Sequence, residues 1–164
     1  MSCSKFYSAG HLRHMRLSMV GRLSNEGFIE SIKKLPHLES LEISYVGQLS
    51  KETFEVIGRH CPLLKTLKCF WTVLDIDDVD IDVSVAIAET MPRLQHLKFS
   101  GNMPTNEGLL AILDGCPLLE SLDLEECYSC FSFGYSESLE KRCREKIKDF
   151  RPPNCYFSDD CYSD

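Results

Sequence analysis

Five recurrences of an apolar triplet spaced as Leu-x-x-Leu-x-Leu, a proline just before four of them, and a helix-capping side chain twelve residues before each proline predict an α/β solenoid of stacked strand and helix units. The triplets are Leu12, Met15 and Leu17; Leu38, Leu41 and Ile43; Leu64, Leu67 and Cys69; Leu94, Leu97 and Phe99; and Leu119, Leu122 and Leu124. Their first members are separated by 26, 26, 30 and 25 residues, a period too long for a heptad and typical of a one-strand, one-helix repeat.

Each element follows from local chemistry. Within a triplet the last two apolar residues alternate with polar ones, so a strand places them inward and their neighbours outward. Pro36, Pro62, Pro92 and Pro117 stand two residues before the next leucine, where a proline ends a helix by lacking an amide donor and restricting the residue before it. Ser24, Ser50, Asp80 and Thr105 are N-cap residue types, and Glu26, Glu52, Asp82 and Glu107 put a carboxylate in the first turn, at the positive end of the helix dipole. Between cap and proline, apolar residues fall at helical spacing: Phe28, Ile32 and Leu35; Phe54, Ile57 and Cys61; Leu109, Ile112 and Cys116. The result is a leucine-rich-repeat solenoid, a right-handed β-α superhelix of the ribonuclease-inhibitor kind with cysteine-containing repeats.

The expected organisation is a short N-terminal segment (1–10), about five repeats (11–127), a C-terminal capping-helix region (128–153) and an acidic tail (154–164). Leu139, Cys143, Ile147 and Phe150 share one face of a single expected helix, stopped by Pro152 and Pro153. Met1 to Gly10 show no amphipathic capping helix, so the first strand is expected to expose its outer edge.

Composition excludes several classes of function. A formal charge of −7 repels a phosphate backbone, so nucleic acid is not expected as a partner. The apolar runs are too short to span a bilayer, which needs about 18 to 20 residues, so no membrane partner is expected either. Nine cysteines, an odd count without a secretory signal, read as reduced thiols of a cytoplasmic or nuclear protein. No histidine among His11, His14, His37, His60 and His96 belongs to a nucleophile motif, and no glycine-rich phosphate loop is present; no enzyme activity and no cofactor is expected.

Two clusters invite a metal and fail the spacing test. Asp75, Asp77, Asp78, Asp80 and Asp82 precede Glu89, but Val83 stands where a calcium loop needs glycine. Cys127-x-x-Cys130, with Cys143 or Cys155, lacks a second Cys-x-x-Cys, and Cys127 lies three residues after Leu124, where such repeats place Asn or Cys.

From His11 to Pro153 the chain resembles the repeat region of plant F-box proteins with cysteine-containing leucine-rich repeats, the F-box/LRR-repeat and SKIP-type group. The residues that carry the likeness are Cys61-Pro62-Leu63-Leu64-Lys65, Ala86-Ile87-Ala88-Glu89-Thr90-Met91-Pro92, Ala111-Ile112-Leu113-Asp114-Gly115-Cys116-Pro117 and Lys141-Arg142-Cys143. The resemblance implies repeats that hold a protein substrate while an N-terminal F-box docks on the Skp adaptor of a cullin-RING ubiquitin ligase. The sequence shows no F-box, so docking on Skp and cullin is expected only where a longer isoform supplies one. A stand-alone repeat scaffold unrelated to ubiquitin is the first alternative, and a small metal-binding protein built on the two clusters above is the second.

The expected site is the concave sheet face, which solenoids use for binding. Its residues are His14, Arg16, Ser40, Glu42, Thr66, Lys68, Phe70, Trp71, His96, Lys98, Asp123 and Glu125, with Phe70 and Trp71 as aromatic anchors.

Overall fold

The computed structural model describes residues 9–18, 24–44, 49–71, 81–101, 104–127 and 135–154. A 3-10 turn at Ala9–His11 leads into β1 (His14–Ser18), and strands and helices then alternate: α1 (Asn25–Ile32), β2 (Ser40–Ser44), α2 (Lys51–His60), β3 (Thr66–Phe70), α3 (Ile81–Thr90), β4 (His96–Gly101), α4 (Asn106–Gly115), β5 (Ser121–Cys127), α5 (Glu137–Lys146) and β6 (Asp149–Arg151). All strands pair in parallel in chain order, β1-β2-β3-β4-β5-β6, which is the arrangement a one-strand, one-helix repeat produces.

The caps act locally as their residue types require, with one exception. Ser24 accepts from the Gly27 amide at 3.2 Å and Thr105 from the Gly108 amide at 3.1 Å. Ser50 makes no such bond; its hydroxyl meets the Thr53 hydroxyl at 3.3 Å instead. Asp80 lies outside the described residues. The prolines do more than stop helices. Leu38, Leu64, Leu94 and Leu119 each donate an amide to the carbonyl three residues back, at 3.0 to 3.2 Å, so each proline holds the second position of a β-turn, where its missing N–H costs nothing.

Those turns bring the first leucine of each unit under the sheet. Leu38, Leu64, Leu94 and Leu119 join Leu41, Ile43, Leu67, Cys69, Leu97 and Phe99 from the strands and Phe28, Phe54, Ile57, Ile87 and Ile112 from the helices in one continuous core. Register keeps like on like: Leu41, Leu67, Leu97 and Leu122 are consecutive Cα partners across four strands. Cysteine serves as a small core residue that also ties units together. The Cys61 thiol donates to the Leu35 carbonyl at 3.5 Å, and Cys116 does the same to Met91 at 3.6 Å. Helices can stack this closely because glycine faces the neighbour: a Cβ on Gly58 would lie 2.0 Å from Thr90 Oγ1, and one on Gly115 2.3 Å from the Ala88 carbonyl oxygen.

The two ends of the described sheet are finished in distinct ways. Met15 and Leu17 on the edge strand β1 are only partly buried, but His37 reaches back, its Nδ1 donating to the Gly10 carbonyl while its ring stacks on His11 at 6.1 Å. At the other end, the helix expected to run through Phe150 stops at Lys146. Ile147 turns extended, and Asp149–Arg151 forms a sixth strand on β5, with Asp149 donating to Glu120 at 2.9 Å. The free edge of β5 supplies backbone partners that a longer helix would leave unused. The helical reading of Leu139 and Cys143 stands, both buried, whereas Ile147 and Phe150 belong to a degenerate repeat, Ile147-x-x-Phe150, in register with Leu119-x-x-Leu122.

Candidate protein-binding face

Helices cover one face of the sheet, so the side chains that alternate with the core leucines lie on the other. Parallel pairing arranges them in three rows. The first is His14, Ser40, Thr66, His96 and Ser121; the second is Arg16, Glu42, Lys68, Lys98 and Asp123, extended by Arg151. The third runs Ser18, Ser44, Phe70, Ser100 and Glu126. His14 and His96 are kept apart by Ser40 and Thr66, so the face offers no paired imidazoles.

The middle row is a charge ladder. Arg16 meets Glu42 at 2.7 Å and Lys68 approaches the same carboxylate at 3.9 Å. Lys98 sits between Asp123 at 3.3 Å and Glu126 at 3.0 Å, and Arg151 reaches Asp123 at 4.0 Å. Partial burial works against the Lys98 ammonium, but its bonds to Glu126 and Asp123 outweigh that and hold its pKa above the usual lysine value. A parallel set lies where the strands begin: Glu39 joins Lys65 at 3.2 Å and Arg13 at 3.4 Å, and the Lys65 bond, followed by its charge, draws the Glu39 carboxyl below its usual range.

One of the expected site residues sits elsewhere. Trp71 follows Phe70 and therefore has the inward parity of the strand; its ring stacks on buried Phe99 at 5.5 Å, while Gly101, at φ +87°, lets the two backbone segments approach so closely that a Cβ there would fall 2.6 Å from the Trp71 carbonyl oxygen. Phe70 alone of the two aromatics belongs to the open face, with the Lys98 ammonium 5.7 Å from its ring centre. Glu125 lies at a bulge, exposed beside Glu126 between the buried Leu124 and Cys127. Lys98 pairs with Asp123 but Ser100 with Glu126, so β5 carries an extra residue, and the Glu125 amide turns to bond Asp123 Oδ1 at 3.0 Å.

Sequence reasoning thus missed Glu126 and Arg151, and both left a trace. Leu124 and Cys127 are both buried yet three residues apart, an odd spacing that a regular strand cannot turn to one face. Arg151 stands in the outward position of the degenerate sixth repeat.

Elsewhere the chemistry is quiet. The described cysteines Cys61, Cys69, Cys116, Cys127 and Cys143 are buried, and burial pushes Cys61, Cys116 and Cys143 up to about 11 and Cys127 up to about 12, far from the thiolate range of a nucleophile. A cleft of about 190 Å³ between the turns after α2 and α3 is lined by Cys61, Pro62, Thr90, Met91, Pro92 and Arg93, with no acid and base paired in it. Among the described residues no three His, Cys, Asp or Glu side chains converge as metal ligands, and no helix is long and apolar enough to cross a membrane. Most of the run Asp75 to Asp82, as well as Cys130 and Cys155, lies outside those residues.

Stacked strand and helix units, proline turns and buried leucine rows define a leucine-rich-repeat solenoid with one open, charged sheet face. No family model matches the chain. It is similar to Arabidopsis thaliana F-box/LRR-repeat protein 22, 47% identical over 92% of this chain and 47% of that protein, and to F-box/LRR-repeat protein 23, 44% identical over 89% and 32%. Arabidopsis F-box protein SKIP19 is 42% identical over 90% of the chain and 46% of its own length. Over its repeats the chain is similar to these plant F-box/LRR-repeat proteins, and it spans about half or less of the length of these curated relatives.

Proposed function

We propose that the chain is a non-enzymatic protein-binding module whose open sheet face holds the partner. The observation that carries this reading is the middle of that face: Thr66, Lys68, Phe70, His96 and Lys98 form a contiguous patch of donors, cations and one aromatic ring on a scaffold whose register fixes their spacing. Rigid elements that present an aromatic beside polar groups suit recognition of another protein. The relatives' F-box names support the finer reading, in which the bound protein is a substrate for a cullin-RING ubiquitin ligase once an F-box provides docking on the Skp adaptor.

The test is a comparison of two blocked faces. Thr66→Trp with His96→Trp fills the open face, and Lys51→Trp with Arg59→Trp places the same bulk on exposed α2. Proteins captured from plant extract by the unaltered chain should be lost with the first pair and retained with the second. Loss with the α2 pair alone would place binding on the helices and refute the assignment. For the finer reading, the captured protein should turn over more slowly when the ligase's cullin is inactivated; an unchanged half-life would leave a scaffold role.

A further inference from the structure

Signs alternate along the middle row wherever two charged residues are registered, with one exception among the described residues. Arg16 faces Glu42, Glu42 faces Lys68, Lys98 faces Asp123 and Asp123 faces Arg151, but Lys68 and Lys98 stand side by side. Adjacent strands hold such partners about 4.8 Å apart, and like charges set opposite each other cost stability. The two lysines are also unequally compensated. Lys98 has two carboxylates within 3.3 Å, whereas Lys68 reaches Glu42 only at 3.9 Å, and that carboxylate is already held by Arg16 at 2.7 Å. The Lys68 side chain is 44% exposed. Lys68 therefore carries less ionic compensation within the sheet than Lys98 does.

Building on the reading of this face as protein-binding, we infer that it takes a segment of a partner protein that carries a single acidic residue, its carboxylate bridging Lys68 and Lys98 and an apolar side chain beside it on Phe70. That carboxylate supplies the anion missing from the alternating row. Charge complementarity also sets the limits of the ligand. Glu42 lies on one side of the lysine pair and Asp123 and Glu126 on the other, so a long polyanion is repelled at both ends and an isolated Asp or Glu flanked by neutral or basic residues fits best. The ring of Phe70, half-buried in the next row and within 5.7 Å of the Lys98 ammonium, places the apolar contact next to the acid.

Random linear peptides displayed on phage and selected on the folded chain test this. Binders should carry one Asp or Glu beside an aromatic or aliphatic residue. Their affinity should fall about tenfold or more on Lys68→Gln, the scale of a lost charged hydrogen bond, and be retained by Lys68→Arg. Binders that are lost on Thr66→Trp with His96→Trp yet indifferent to Lys68→Gln would overturn the single-carboxylate inference and leave the open face as the binding surface. Binders indifferent to both would overturn the face itself. A selection without acid-bearing binders overturns the inference too. Circular dichroism of Lys68→Gln, whose side chain is nearly half exposed, confirms that the fold is unchanged.

Discussion

Gly115→Ala is the substitution on which close stacking of the repeats makes its sharpest demand. Gly115 ends α4 against α3, and an alanine Cβ built there lies 2.3 Å from the Ala88 carbonyl oxygen, 2.7 Å from its carbon and 2.8 Å from its Cα. Ordinary contact begins near 3.4 Å, so the two helices must separate by about 1.1 Å, and the obstructing atoms are backbone that cannot rotate away. Alanine gains at most about 1 kcal/mol of helix propensity, and less at a helix end. Overpacking costs about 1 to 3 kcal/mol, and opening the helix interface adds lost dispersion contacts. The net is about 1 to 2 kcal/mol of destabilisation, or a fall in Tm of about 2 to 8 °C for a domain of this size. Differential scanning calorimetry reads it directly, with Gly10→Ala as control because nothing lies within 4 Å of a Cβ there. A Gly115→Ala protein as stable as the unaltered chain, or more so, would refute the reasoning about helix spacing.

Three further outcomes follow from particular contacts. Thr105→Ala should cost about 1 kcal/mol in urea unfolding, whereas Ser50→Ala should cost clearly less because Ser50 caps no amide; equal losses would contradict the cap assignments. Lys98→Glu should destabilise by about 1 to 2 kcal/mol by setting a third carboxylate beside Asp123 and Glu126, while Lys68→Gln should stay within about 0.5 kcal/mol; the reverse order in urea would refute the ladder. Folding raises the Cys61, Cys116 and Cys143 thiols from near 9 to about 11, so stability from this source is intact below pH 9 and lost as pH rises toward 11. Alkylation at pH 8 should accordingly be slow in the native chain and fast in denaturant, and rapid native labelling of these cysteines would show that they are not buried.

The repeat architecture was legible because its signals are local and redundant. Leu38, Leu64, Leu94 and Leu119 share a spacing, each follows a proline, and strand alternation then assigns His14, Arg16, Ser40, Glu42, Thr66, Lys68, Phe70, His96, Lys98 and Asp123 to the open face without further information. What escaped depends on pairing between distant segments. Helical spacing carried the C-terminal helix past Lys146, since periodicity does not register that β5 has an unsatisfied edge. Strict alternation named Glu125 and passed over Glu126, which takes the registered position, since a bulge is a property of two strands and left only the Leu124 to Cys127 spacing as a clue. Trp71 was grouped with Phe70 for its residue type, although adjacent strand residues point to opposite faces; its stacking on Phe99 follows from parity. The like-charged pair in the middle row, Lys68 beside Lys98, emerges only when register sets one strand against the next.

The most direct test of partner binding on the open sheet face is hydroxyl-radical footprinting of the chain with and without a protein it captures. Phe70, His14 and His96 report the open face; His60, at the end of α2, and Leu118, 51% exposed in the turn after α4, report surfaces away from it. Complex formation should protect Phe70 and His96 and leave His60 and Leu118 oxidised as in the free chain. Protection of Leu118 or His60 with Phe70 and His96 unchanged would contradict binding on the sheet face and move the interface to the helix side of the solenoid.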